Sequence, residues 1–192
     1  MLETINNRTR AFVQQMPKSK RKEYGQFFTS IPIAEFMSNM FYVNYDKPIL
    51  HILDAGAGAG ILSASTVITL RNKGYTGELL LVCYETDLNV IPLLEQNLSD
   101  IAEQYRVHYT IVRENYITSQ RFEGSKEDAE LYDIIVGNPP YKKIPQNADE
   151  ALSMSSVCYG APNLYFLFGI IRSNIDGETL DEKIIEFWRS SL

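Results

Sequence analysis

The 192-residue sequence predicts an α/β fold, a parallel sheet of about four strands preceded by N-terminal helices. Short apolar runs alternate with longer helical stretches, the pattern of βαβ units joined by right-handed crossovers. The first of these runs ends in an acid and a glycine-rich turn, where open α/β sheets bind ligands. Hydrophobic residues make up 45% and charged residues 22%, a globular balance that can build a core and excludes a disordered or collagen-like chain.

The elements follow in order. Residues 3–15 have helical composition, and Pro17 with Ser19 breaks it. Residues 24–30 form a loop with two adjacent aromatics. Thr29 or Ser30 can cap a helix from Ile31 to Tyr42, with Pro32 in its first turn and Ile33, Phe36, Met37 and Met40 on its apolar face. Ile49–Leu53 reads as a buried strand ending at Asp54. A helix from Ile61 to Asn72 is closed by Gly74. Leu79–Tyr84 is a second strand, ending in Glu85. A helix over Leu88–Gln104 is capped by Asp87 or Asn89, because Pro92 must lie in its first turns. Val107–Val112 and Tyr132–Val136 are the third and fourth strands. A long loop at 142–162 follows, then helices over 163–174 and 178–192.

No apolar run approaches the roughly 18 residues of a membrane helix, and Met1–Arg10 lacks the apolar stretch of a signal peptide. The expectation is a cytoplasmic protein without a membrane partner. Cys83 and Cys158 are too few for a disulfide framework or a zinc site, and are expected as reduced thiols. The net charge of −6 argues against general phosphate binding. Arg8, Arg10, Lys18, Lys20, Arg21 and Lys22 nevertheless form a basic stretch, read equally well as a solvated surface or as a nucleic-acid contact.

Three features carry chemistry. In Asp54-Ala55-Gly56-Ala57-Gly58-Ala59-Gly60, glycines at alternating positions let the backbone turn sharply and approach a ligand; alone, such a loop could serve a dinucleotide, another nucleotide cofactor or a packed turn. Glu85, 25 residues after Gly60, can accept hydrogen bonds from both ribose hydroxyls of an adenosine, while Asp87 reads as a capping residue. Asn138-Pro139-Pro140-Tyr141 follows the fourth strand directly. The Asn138 side-chain oxygen and the Pro139 carbonyl can both accept from one planar amine, drawing it toward tetrahedral geometry and releasing its lone pair. Tyr141 can stack on a flat substrate.

Tyr24–Thr29, Asp54–Gly60, Glu85, Asn138–Tyr141 and Asn163–Phe168 together resemble the successive motifs of S-adenosylmethionine-dependent N6-adenine DNA methyltransferases. Their order is similar to the gamma class, in which the segment at 24–29 precedes the glycine loop. The resemblance covers about residues 20–170, and the 78 residues from Gly60 to Asn138 are too few for a recognition domain as well as the βα units.

The resemblance implies a Rossmann-like methyltransferase fold and S-adenosyl-L-methionine as cofactor. Gln26, Phe28 and Thr29 would line the methionine end. Asp54, Gly56 and Gly58 would approach its amino-acid part, Glu85 would hold the ribose, and Asn115 would bond the adenine amine. Asn138 and Pro139 would polarise the target amine, and Pro140 and Tyr141 would complete the catalytic tetrapeptide, with Tyr141 stacked on a flipped base. Transfer would be direct, with neither metal nor covalent intermediate.

Three departures accompany the resemblance. Ser30 stands where the family has proline. Asn115 stands where it carries aspartate. After Phe168 the later motifs, the second aromatic for the target base and a target-recognition domain are not found. The expectation is therefore a helical segment at 1–48, with a cofactor-contacting loop at 24–30, and a partial methyltransferase domain at 49–192, short of the family's seven-stranded sheet. Double-stranded DNA would be engaged through a recognition domain outside the chain, and a partner subunit or self-association would meet the incomplete sheet. An inert cofactor-binding remnant and a protein-glutamine or RNA methyltransferase are the alternatives. The Tyr24–Thr29 segment argues against the latter pair.

Overall fold

The computed structural model describes residues 1–18, 28–119 and 132–138. Gln26, Pro139, Pro140 and Tyr141 lie outside the described residues, as do Lys20–Lys22, Cys158, the long loop and both expected C-terminal helices.

The elements are α1 (Leu2–Gln15), α2 (Ile31–Asn39), β1 (Ile49–Asp54), α3 (Ile61–Asn72), β2 (Glu78–Tyr84), α4 (Ile91–Tyr105), β3 (Val107–Val112), α5 (Tyr116–Ser119) and β4 (Ile134–Val136). All four strands are parallel, in the order β3-β2-β1-β4. The chain moves outward from β1 to β3 and then returns to the other side of β1, so the order reverses between β1 and β4. This is the Rossmann-like winding, and the reversal opens a crevice at the carboxyl ends of those two strands. Among the described residues β4 pairs only with β1 and β3 only with β2, so these two strands form the sheet's outer edges.

One face of the sheet supplies the core. Leu50 and Ile52, Leu79, Leu81 and Cys83, Val107, and Ile134 and Val136 meet Val67 and Leu70 of α3 and Leu94, Leu98 and Ile101 of α4. Ile5 of α1, Ala34 of α2 and Val43 join the same cluster. Helix α3 is buried on nearly every side, its hydroxyl residues Ser63, Ser65 and Thr66 included. Cys83 is a buried thiol whose pKa burial pushes upward. On the opposite face His51, Leu80, Val82, His108 and Thr110 line an open groove.

Several boundaries differ from expectation for local reasons. Helix α2 stops at Asn39, three residues short of Tyr42. Its buried residues are Ala34 and Ser38, while Ile33, Phe36 and Met40 are exposed among the described residues. Small side chains let α2 approach α3 closely, and Ser38 Oγ lies 3.4 Å from Thr66 Oγ1. Ser30 occupies the cap position without a side-chain capping bond. Helix α4 begins at Ile91 because Leu88–Val90 form a turn built on Asp87, whose Oδ1 accepts from the Asn89 backbone at 2.9 Å and side chain at 2.8 Å. The cap position of α4 is Val90, with no side-chain capping bond, so neither Asp87 nor Asn89 caps the helix as expected and Asp87 braces the turn ahead of it instead. Strand β4 starts at Ile134, since the Asp133 carboxylate turns back to accept from the His51 amide and from Lys47. Among the described residues no helix is long and apolar enough to cross a membrane.

Candidate functional site

Asp54 ends β1 with its side chain fully buried. Oδ2 accepts from the Ser63 hydroxyl at 2.6 Å, and Oδ1 has no hydrogen-bond partner among the described residues. Burial pushes the pKa up from 3.8 to about 6. The Ser63 hydroxyl and the neighbouring Gly56 amide restrain that rise, and the Glu85 charge adds to it. An ionised carboxylate with one oxygen unmatched is costly, and a cationic or donor group brought to Oδ1 would relieve it. Among the described residues no group of three or more His, Cys, Asp or Glu has the form of a metal site.

The turn after Asp54 is tied to the neighbouring strands. Ala55 N–H donates to the Val136 carbonyl at 3.2 Å, across the strand-order reversal, and Ala57 N–H donates to the Tyr84 carbonyl at 2.9 Å. Gly58 and Gly60 have φ of +52° and +80°, left-handed values that explain why glycine occupies both positions. A Cβ on Gly56 would meet nothing within 4 Å, so the turn presents bare backbone there.

Glu85 closes over the turn from the end of β2. Its Oε2 accepts from Gly58 N–H at 2.8 Å, and its Oε1 accepts from the amides of Thr86 at 2.7 Å and Asp87 at 2.8 Å. Three of the roughly four acceptor positions of a carboxylate are filled. A second ribose hydroxyl would therefore have to displace one of these amides, and Gly58 N–H on Oε2 is the contact between separate segments.

Segment 28–29 joins the two motif regions. The Phe28 ring lies against Gly58, 3.7 Å from where a Cβ would stand. The hydroxyl of the next residue, Thr29, accepts from Asn138 Nδ2 at 2.9 Å. Asn138 sits two residues beyond β4, after Gly137, around which a Cβ would again find open space. Phe28, Thr29, Asp54, Gly58, Glu85 and Asn138 thus converge at the carboxyl ends of β1, β2 and β4. Asn115 makes a different contact: its Oδ1 accepts from Ile117 N–H at 3.0 Å and caps α5, a helical turn absent from the sequence expectation. Tyr116 meets Tyr84 edge to face at 5.0 Å beside it.

Two residues of this region escaped sequence reasoning. Ser63 is the hydroxyl partner of Asp54, nine positions along the chain and marked by nothing local. Asn97 donates to the Ala59 carbonyl at 2.9 Å, and its signal is a polar residue on the apolar face Leu94, Leu98, Ile101. Arg8 of the basic stretch is partly exposed and is engaged internally with Asn97 and Asp100.

A family model described as N-6 DNA methylase matches residues 10–160. The type II methyltransferase M.PstI of Providencia stuartii is 31% identical over 166 residues, which are 80% of this chain and 31% of that protein. The type II methyltransferase M.BsuBI of Bacillus subtilis is 29% identical over 175 residues, 88% of this chain and 34% of that one. The chain therefore spans about a third of the length of these curated relatives. Among solved structures, the methyltransferase subunit of a type I restriction-modification system from Streptococcus thermophilus superposes on 68% of this chain and 26% of that one, at 17% identity and a TM-score of 0.48.

Proposed function

This chain belongs to the N-6 DNA methylase family, and from that premise we propose that it is the cofactor-binding and catalytic part of a site-specific N6-adenine DNA methyltransferase of restriction–modification type. S-adenosyl-L-methionine is the proposed methyl donor, double-stranded DNA the substrate and the cytoplasm the location. Target recognition is assigned to a further domain or a partner. The observation that carries this is the bridge at 28–29: Phe28 touches the glycine turn and Thr29 holds Asn138, so one short segment spans cofactor turn and catalytic motif.

Bound S-adenosyl-L-methionine would supply an electrophilic methyl group on a sulfonium. Asp54 would receive the donors of its amino-acid part at the unmatched Oδ1, with the bare backbone of Gly56 and Gly58 allowing close approach. Glu85 would accept a ribose hydroxyl at Oε2. Asn115 would border the adenine from the end of β3, with its capping bond limiting what its oxygen can add. Gln26 would complete the methionine end.

Thr29 would hold the Asn138 amide through Nδ2, directing Oδ1 to the target amine. Asn138 and the Pro139 carbonyl would take that amine's two hydrogens, localising its lone pair for direct attack on the methyl carbon. The amine would accept the methyl from its sulfonium donor and pass its surplus proton to solvent. Tyr141 would stack on the extruded base, recovering part of the few kcal/mol that extrusion costs; Pro140 would keep the tetrapeptide extended.

The test is nucleoside analysis by mass spectrometry of DNA incubated with the chain, alone and with the remainder of a relative such as M.PstI, and isotopically labelled donor. Label in N6-methyladenine, abolished by Asn138→Ala, is the expected result. Label in cytosine, or in protein glutamine, overturns the proposal.

A further inference from the structure

Asn97 is a wholly buried polar residue on a face of α4 otherwise made by Ile91, Leu94, Leu98 and Ile101. Its side chain spans two elements remote in sequence. Nδ2 donates to the Ala59 carbonyl at 2.9 Å, inside the glycine turn, and Oδ1 accepts from Arg8 Nη1 of α1 at 3.1 Å. Arg8 is itself fixed by Asp100, one turn further along α4. A guanidinium can only donate and a carbonyl can only accept, so the amide has a single satisfying orientation, set by Arg8 on one side and Ala59 on the other.

The contact falls where the turn is hardest to hold. The peptide plane joining Ala59 to Gly60 is pinned at its oxygen by Asn97 and at its nitrogen by the 2.8 Å bond from Gly60 N–H to the Ala57 carbonyl. Left-handed Gly58 and Gly60 lie on either side of Ala59, and glycine backbones leave many other conformations open. Without the pin the turn would sample shapes in which Gly56 and Gly58 no longer present their backbone beside Asp54.

We infer that Arg8 and Asn97 are positioning residues, through which the N-terminal helix braces the glycine turn in its cofactor-binding shape. This rests on the assignment of that turn to S-adenosyl-L-methionine. It goes beyond that assignment in making cofactor affinity depend on α1, which supplies none of the proposed cofactor contacts.

The experiment compares the wild-type chain with Arg8→Ala and Asn97→Asp, by amide hydrogen exchange without ligand and by calorimetric titration with S-adenosyl-L-methionine. Asn97→Asp keeps the Arg8 partner but turns a carboxylate oxygen toward the Ala59 carbonyl. In Arg8→Ala, exchange at the Gly60 amide should speed about tenfold, the worth of one net hydrogen bond, with the middle of β2 unchanged. Cofactor affinity should fall by a similar factor at a temperature where circular dichroism shows the variant fully folded. Asn97→Asp should lose more than Arg8→Ala; if it fails to fold, Arg8→Ala decides alone. Exchange at Gly60 within twofold of wild type, or acceleration spread over the whole sheet, overturns the brace. Failure of the wild-type chain to take up cofactor overturns the cofactor assignment, and with it the link to affinity, while the exchange result still judges the brace.

Discussion

Replacing Asp54 by asparagine should make the ligand-free protein relatively more stable as pH rises. The Asp54 carboxyl has a folded-state pKa of about 6 against an ordinary 3.8. A carboxyl raised in the folded state favours folding while protonated, and this contribution is lost as pH climbs from the unfolded value through the folded one. At about 1.4 kcal/mol for each pH unit between those two values, the difference is worth about 3 kcal/mol. Asparagine keeps an acceptor for Ser63 and never ionises, although its amide hydrogens at the Oδ1 position could cost about 1–3 kcal/mol. That cost is independent of pH and drops out when the variant is compared with wild type at two pH values.

Urea unfolding of both proteins between pH 4 and pH 7.5 supplies the comparison. The stability of Asp54→Asn minus that of wild type should increase by about 2.5 kcal/mol across the window, equivalent to about 5–10 °C in melting temperature for a chain of this size. Parallel stability curves, separated by the same amount at both ends, would refute the argument that Asp54 carries an uncompensated buried charge. Such a result would mean that Asp54 weakens the ligand-free fold, a cost that the proposed cofactor would relieve at Oδ1.

Other outcomes follow from the same geometry. Glu85→Ala should weaken S-adenosyl-L-methionine binding at least tenfold, through a lost charged hydrogen bond of about 1.5–3 kcal/mol and release of Gly58; calorimetry with unchanged affinity removes Glu85 from the site. Thr29→Val should lower methyl transfer while leaving cofactor affinity within a few-fold, and Thr29→Ser should restore transfer; a variant altered only in cofactor affinity would make Thr29 a cofactor contact instead. Gly60→Ala should destabilise the fold by about 1–2 kcal/mol because its φ of +80° is unfavourable for any side chain, and denaturant titration showing no loss would contradict the strained-turn account.

The parts of the fold that were legible in sequence are those whose cause is local. The apolar run 107–112 and the helix 61–72 with Gly74 behind it carry their own boundaries, and both match the structure. The start of α4 was displaced because the Asp87 side chain builds a turn first. On the inner face of α2 Met37 packs against the core as expected, but Ile33, Phe36 and Met40 do not, because close contact with α3 needs the small residues Ala34 and Ser38. In the candidate site, Asp54, Gly58 and Glu85 were found because a strand end, a glycine turn and a second strand end leave a readable spacing. Ser63 and Asn97 were not, and Arg8 was read only as part of a basic stretch, because their partners lie 9, 38 and 89 residues away and pairing across such distances has no sequence periodicity. Neither could spacing reveal that Glu85 binds Gly58 itself, or that Thr29 grips Asn138.

Calorimetric titration of the chain with S-adenosyl-L-methionine at pH 5 and pH 7 tests the central claim most directly. The predicted result is one cofactor bound per chain, more tightly at pH 7, because Asp54 is then ionised and its Oδ1 can receive the donors of the amino-acid part. No binding at either pH, or equal binding in wild type and Asp54→Asn, would contradict the cofactor site described at the carboxyl ends of β1 and β2.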